Sequence, residues 1–171
     1  ELRDIDGVVF LAGVYWPMPA TDWNGADALA MANINFTGAF RVLDQVMEQF
    51  LLVDKGHIVI TGSLSGFRGL PRSIGYSASK AGVMALAESL YADLRTTGIR
   101  VQLANPGFIK TRLTEKNSFN MPFIMSPGKA ANIFFNFMKK SSFKKDFPFI
   151  FSMIFRLGRF LPGWIYYRLQ K

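Results

Sequence analysis

The chain contains no cysteine and only one histidine, His57. Without cysteine there is no disulfide scaffold, no thiolate-held zinc or iron–sulfur centre and no cysteine nucleophile. One imidazole is too few for a His-rich metal site, so no metal is expected. Proline is confined to eight of 171 residues while half of the residues are apolar. That balance excludes a disordered or collagen-like chain and leaves enough apolar mass for one domain with a core. No pair of carboxylates has the look of a glycosidase or protease site. Acidic residues are scarcest at the C-terminal end: residues 117–171 carry nine basic side chains and only Asp146, whereas residues 1–116 carry eleven of each sign. The whole formal charge of +8 therefore belongs to the tail, which also holds 14 of the 25 aromatics. A strongly basic chain raises nucleic-acid binding, but here the aromatics cluster instead of interleaving on a polar face, so no nucleic-acid partner is expected.

What is present is an alternation of strands and helices. Gly7–Gly13 is a short apolar run ending in glycine, which reads as a buried parallel strand. Ala26–Phe50 has helical spacing, and His57–Thr61 is a second buried strand, with His57 at its start and not a base. Gly75–Thr97 predicts a helix stopped by Gly98, and Ile99–Ala104 a third strand closed by Asn105-Pro106-Gly107. This order predicts an α/β chain with a doubly wound, Rossmann-like parallel sheet. Ligands of such sheets bind at the carboxyl ends of the strands, so Gly13, Ser63 and Pro106-Gly107 should line one crevice.

Tyr76 and Lys80 stand four residues apart on one helical face. A phenol near pKa 10 is a poor acid or base at neutrality, and a nearby ammonium should lower that value toward useful proton transfer. Ser63, at the end of the second strand, could donate to a carbonyl or alkoxide oxygen held by Tyr76; the alternative is a turn serine. Asn35 lies on the first long helix within Asn35-Phe-Thr-Gly38, where buried Asn is awkward; it could bind water or simply pack helices. Gly107 permits a ligand to approach the backbone closely, or merely turns the chain.

Ala12-Gly13 after the first strand, Asn35 with Gly38, Ser63, Tyr76 with Lys80, and Pro106-Gly107 with Thr111 together resemble, in order and spacing, the classical short-chain dehydrogenase/reductase family over residues 6–111. The resemblance implies an NAD- or NADP-dependent oxidoreductase that moves hydride between nicotinamide and a carbonyl or alcohol carbon. It implies Tyr76 as general acid/base, Ser63 as donor to the substrate oxygen, and Asn35 as anchor of a relay water. Lys80 would hold the nicotinamide ribose and tune Tyr76. Ala12 and Gly13 would approach the adenine-side ribose, and Pro106, Gly107, Ile109 and Thr111 would meet the nicotinamide. A homo-oligomer of the complete protein, with its contact on the helices of Asn35 and Tyr76, is implied in the same way.

Two departures stand out. Leu11 replaces the Asn of the family's Asn-Ala-Gly, from which a local structural change is expected. The Gly-rich dinucleotide motif and its cofactor selector are absent; Thr61-Gly62-Ser-Leu-Ser-Gly66 matches by letters only, since Arg68 and Pro71 follow where a helix should open. The expectation is a C-terminal portion that lacks roughly 60–80 residues of a βαβαβ half and does not hold NAD(P)H tightly by itself. Glu1 in place of Met fits that expectation, and any targeting signal would lie upstream. A non-catalytic, binding or inactive relative is the competing reading.

The expected division is a catalytic body at 1–115, a lid and helix at 116–146, and a basic aromatic tail at 147–171. Phe108, Phe119, Met121, Pro122, Phe123, Ile124 and Met125 make the lid apolar and point to a lipophilic substrate, or to a lid that packs on the core. Ser126-Pro127 reads as an N-cap followed by proline at the first helical position, with a helix over Gly128–Lys140. The tail is too short and too often charged to span a bilayer. It resembles a helix lying on an anionic membrane surface, or one packed against the domain or a second subunit. The expected location is cytoplasmic, with peripheral membrane contact as the variant.

Overall fold

The computed structural model describes residues 5–170. Four parallel strands, β1 (Gly7–Phe10), β2 (Gly56–Thr61), β3 (Ile99–Pro106) and β4 (Lys144–Phe147), lie side by side in chain order. Phe10 sits opposite Ile60, Thr61 opposite Ala104, and Pro106 opposite Phe147, so the carboxyl ends are level. Seven α-helices accompany them: α1 (Gly25–Ala32), α2 (Gly38–Asp44), α3 (Met47–Val53), α4 (Ile74–Leu94), α5 (Pro127–Met138), α6 (Phe149–Gly158) and α7 (Gly163–Arg168). The Rossmann-like α/β architecture expected from the alternation is thus the observed one.

The side chains of β3 alternate between two cores. Ile99, Val101 and Leu103 join Phe10, Phe50, Ile58, Ile60 and the α4 residues Val83 and Met84. Ala104 faces the other way, into a cluster with Met125, Ala130, Phe137 and Phe147. The two amides of this strand, Gln102 and Asn105, are fully buried. Gln102 Nε2 donates toward the carbonyls of Phe137, Lys140 and Ser142 at 2.8–3.1 Å, closing the C-terminal end of α5. Its Oε1 lies 2.8 Å from His57 Nε2, and Arg100 Nη2 lies 2.8 Å from His57 Nδ1. Arginine can only donate, so His57 carries its proton on Nε2 and is neutral. Burial holds its pKa below the ordinary value. His57 therefore bridges Gln102 and Arg100 at the start of β2.

Local chemistry explains several departures from the expected elements. The helix expected over Ala26–Phe50 is three: a π-turn over Asn33–Thr37 separates α1 from α2, and the chain bends again before α3. The second bend turns both Val46 and Phe50 into the core. Helix α4 ends at Leu94, before Gly98, because the Thr97 hydroxyl and N–H both turn back onto the Leu94 carbonyl. Ser126 caps α5 as expected, accepting from the Lys129 N–H with Pro127 behind it. Strand β4 was unforeseen. Its sequence Lys-Lys-Asp-Phe looks solvated, yet it pairs with β3, and the 146/147 division falls inside it. Leu11, where the family has Asn, is 64% exposed beyond the end of β1.

Replacing Gln102 with Leu strands the α5 carbonyls and the His57 N–H at once. A loss of about 2–4 kcal/mol is expected in urea unfolding; an unchanged midpoint would refute the bridge.

Candidate active site

The strand ends deliver three of the expected residues to one cavity of about 470 Å³: Ser63, Tyr76 and Gly107. Ser63 follows β2 and is buried. Its Oγ accepts from the Ser65 N–H at 3.2 Å and lies 2.8 Å from the Ser65 hydroxyl. Tyr76 stands in the first turn of α4, packed edge-to-face on Tyr15 with ring centres 5.1 Å apart. Enclosure raises the Tyr76 pKa above 10, against a lowering contribution from the Ser63 hydroxyl, and Tyr15 adds to the rise. The fall expected from a neighbouring ammonium does not occur. Lys80 Nζ lies 5.8 Å from the Tyr76 ring centre and donates to the Thr61 carbonyl at 2.9 Å, so desolvation of the phenol dominates.

Behind the cavity wall, Lys80, Asn35 and Gly13 meet. Lys80 is 3% exposed, and burial lowers its pKa to about 8. Among the described residues its ammonium has one hydrogen-bond partner, which leaves N–H groups free for a ligand. A Cβ on Gly13 would stand 3.8 Å from this nitrogen and 3.7 Å from Asn35 Oδ1. The Asn35 amide is fully engaged in holding the chain after β1. Its Oδ1 accepts from the Val14 N–H at 2.7 Å, and its Nδ2 donates to the Val14 carbonyl and to Ser79 Oγ. The side chain is thus a clamp on the strand-end loop.

The other expected positions lie off the cavity wall. Ala12 and Thr111 are exposed, Pro106 ends β3, and Ile109 pairs with Met125 in an isolated bridge. The close approach at Gly107 is made by protein: a Cβ there would press on Phe151 at 3.0 Å and on Leu64 at 3.2 Å. The Thr61–Gly66 segment forms no phosphate cradle. It holds a single 3₁₀ turn, Leu64–Gly66, and a Cβ on Gly62 would collide with Asn105 Oδ1, so that glycine serves strand packing.

Several wall residues were not foreseen. Tyr15, Arg72 and Lys116 line the cavity, and α6 contributes Phe151 and Phe155. Phe151 packs against Phe108, Phe123 and Phe155, so helix and lid form one aromatic wall. Arg68 makes this possible. Its Nη1 donates to the carbonyls of Gly158 and Leu161 at 2.8 and 2.7 Å, and its guanidinium lies 3.9 Å over the Tyr166 ring. Tyr166 donates in turn to the Gly69 carbonyl. The only sequence signal for Tyr15 was its place two residues after Gly13; the partners of Arg68 lie 90 or more residues away.

The family model for short chain dehydrogenase matches residues 1–121. An uncharacterized oxidoreductase of Myxococcus xanthus is 36% identical over 163 residues, which are 95% of this chain and 64% of that protein. The chain spans about half the length of two similar uncharacterized oxidoreductases of Staphylococcus epidermidis. Among solved structures, 7beta-hydroxysteroid dehydrogenase superposes with a TM-score of 0.81 at 18% identity, covering 99% of this chain and 68% of the other. A short-chain dehydrogenase from Sphingobium yanoikuyae in complex with NADPH gives 0.80 at 22%, covering 87% and 59%. With a family match over more than two thirds of its length and the strand-end geometry described above, the chain belongs to the short-chain dehydrogenase family.

Proposed function

We propose that the protein is a nicotinamide-dependent oxidoreductase interconverting a lipophilic carbonyl compound and its alcohol. The observation that carries this reading is the meeting of the Tyr76 and Ser63 hydroxyls in a cavity otherwise walled by Phe108, Phe119, Phe151 and Phe155. The nicotinamide ribose fits the residues behind it, because the buried Lys80 ammonium has one hydrogen-bond partner among the described residues and keeps N–H groups free. When bound, the nicotinamide supplies or accepts the hydride.

In the reducing direction, Ser63 donates a hydrogen bond to the substrate carbonyl oxygen. Tyr76, held as a neutral phenol by its enclosure, gives its proton to that oxygen. Lys80 would hold the cofactor ribose through the N–H groups that the Thr61 carbonyl leaves free, and it would stabilise the tyrosinate on a closer approach than the observed 5.8 Å to the ring centre. Asn35 acts through the Val14 loop, fixing the wall against which Lys80 and the cofactor lie. A homo-oligomer built on the α2 and α4 helices belongs to the same reading; Leu29 of α1 and Phe40 of α2 face solvent in the single chain.

No helix among the described residues is long and apolar enough to cross a membrane. The α6–α7 pair instead presents Phe149, Ile150, Ile154 and Leu157 outward, with Phe160 83% and Trp164 73% exposed. Arg156, Arg159 and Arg168 are exposed beside them. This combination supports seating on an anionic lipid surface, with the aromatics at the boundary and the arginines at the headgroups.

Tyr76→Phe in the full-length protein should abolish carbonyl reduction by about 10²-fold or more while cofactor affinity stays within twofold; retained turnover would reject the assigned acid/base. Lys80 yields a prediction in stability. Its native pKa of about 8 lies below the ordinary 10.5, so below pH 8 the buried charge destabilises the fold in full. That cost disappears as pH rises toward 10.5, because the native state releases its proton first. Between about pH 7 and about pH 9.5 the wild type should gain roughly 2 kcal/mol on Lys80→Met in urea unfolding; parallel pH curves would overturn this. Finally, the wild type should sediment with phosphatidylcholine vesicles containing phosphatidylglycerol but not with phosphatidylcholine alone. Replacing Phe160 and Trp164 together by Ser should cut the bound fraction about tenfold or more, and undiminished sedimentation would refute the lipid contact.

A further inference from the structure

The cavity wall carries cations and no acids. Arg72 and Lys116 both line it, and none of the lining residues is Asp or Glu. Lys116 is already committed: its ammonium donates to the Tyr15 carbonyl at 2.8 Å and lies 4.4 Å over the Trp16 ring, pinning the lid to the loop after β1. Arg72 is different. Among the described residues its guanidinium has neither a carboxylate nor a hydrogen-bond partner. Its backbone is nonetheless held firmly. Arg72 adopts φ 57°, a left-handed conformation that a branched or long side chain rarely takes, and its carbonyl accepts from the Met18 N–H at 2.8 Å. Met18 and the next residue, Ser73, are both buried and form a bridge. An observed strain that surrounding contacts maintain at a pocket wall points to a positioned side chain. Tyr15 lines the same cavity, close enough to the cation that Arg72 works against the rise that burial causes in its phenol.

We propose that Tyr15 and Arg72 form an anion subsite at the mouth of the cavity, which takes the carboxylate of an amphiphilic oxo or hydroxy acid whose carbonyl or carbinol carbon lies at Tyr76 and Ser63. Arg72 lies in the turn just before α4 begins at Ile74, and it lines the same cavity as Tyr76 and Ser63. A carboxylate a few bonds from the reacting carbon can therefore meet it while the aromatic wall takes the alkyl chain. The inference rests on the carbonyl-reducing reading of this cavity for the place of the reacting carbon. The binding of the acid can be measured without turnover.

The probes are 4-oxodecanoate and its methyl ester, which share a skeleton and differ in charge, titrated calorimetrically into the wild type, Arg72→Asn and Arg72→Lys. Asn tolerates the left-handed backbone and removes the charge; Lys keeps the charge. The wild type should bind the acid more tightly than the ester, and the preference should shrink with added salt. Arg72→Asn should weaken the acid about fivefold, the size of a solvent-accessible ion pair, and leave the ester within twofold. Arg72→Lys should retain most of the acid's affinity. Equal affinity of the wild type for acid and ester, or a preference that salt does not touch, overturns the subsite without reliance on any variant. Equal weakening of both probes in Arg72→Asn overturns it as well. A protein that separates acid from ester yet reduces neither sinks the oxidoreductase reading and leaves the subsite standing. Tyr76-dependent turnover with equal affinities sinks the subsite alone.

Discussion

Two amides buried in β3 organise the rest of the molecule. Gln102 and Asn105 sit in a strand covered on both faces, and a polar group buried there without partners destabilises the fold. Gln102 is satisfied by the last carbonyls of α5 and by His57. Asn105 donates to Asp146 Oδ1 at 2.8 Å, and Asp146 also lies 3.9 Å from Arg156. Satisfying the first amide fixes where α5 stops; pairing the Nδ2 of the second with Asp146 fixes the register of β4, while its Oδ1 stays buried without a partner among the described residues. Because α6 begins two residues after β4 ends, the same hydrogen bond sets Phe151 over Gly107. The aromatic wall of the cavity is therefore a consequence of how the sheet pairs its buried amides.

The site itself is a compromise between desolvation and charge. Lys80 is buried, with a pKa drawn down to about 8, and the Thr61 carbonyl is its one hydrogen-bond partner among the described residues. Tyr76 is enclosed to the point that its phenol is harder to ionise than in water. Burial thus pushes the two groups in the directions that keep both less charged, and only a short approach of the ammonium to the phenol would reverse the tyrosine's shift. The Thr61 carbonyl currently occupies the ammonium. A ligand that draws Lys80 toward the phenol would couple cofactor binding to proton transfer in the proposed mechanism, and this gives the desolvated placement of Lys80 a physical use.

The sheet was legible because its first three strands are short apolar runs bounded by glycine, and the order of Ser63, Tyr76, Lys80 and Pro106-Gly107 placed the chemistry at their ends. Strand β4 was not legible: Lys-Lys-Asp-Phe has no apolar alternation, and it pairs because Asp146 is needed by Asn105. The π-turn at Asn33–Thr37 was hidden too, since helical periodicity does not register one extra residue in a turn. Lys80 as a depressant of the Tyr76 pKa was the natural inference from spacing. It failed because spacing fixes which face two residues share and says nothing of which carbonyl the longer one reaches first. Arg68 was read only as the letter that spoils a glycine motif, when its partners are carbonyls of the tail.

Those partners change the meaning of the basic tail. A segment with nine cations and one acid gains no attraction from the net charge of a neutral body. Attachment comes instead from a cation of the body acting on the tail: Arg68 caps the carbonyls that end α6 and stacks on Tyr166, while the tail's own arginines face solvent. The C-terminal end of a helix concentrates negative potential, so the body's guanidinium is attracted to the end of α6 although the tail as a whole is cationic. Lys144 pairs with Glu88 and Arg156 lies near Asp146, while Arg159 and Arg168 make no ion pair among the described residues. Their charge is available to whatever lies beyond the outward row of Phe149, Ile154, Phe160 and Trp164. The inner face of the same helices meanwhile supplies Phe151 and Phe155 to the cavity. A pair of helices that is aromatic on both sides and cationic at its rim thereby joins the outer surface to the pocket, and a lipophilic ligand passing between them would cross little water.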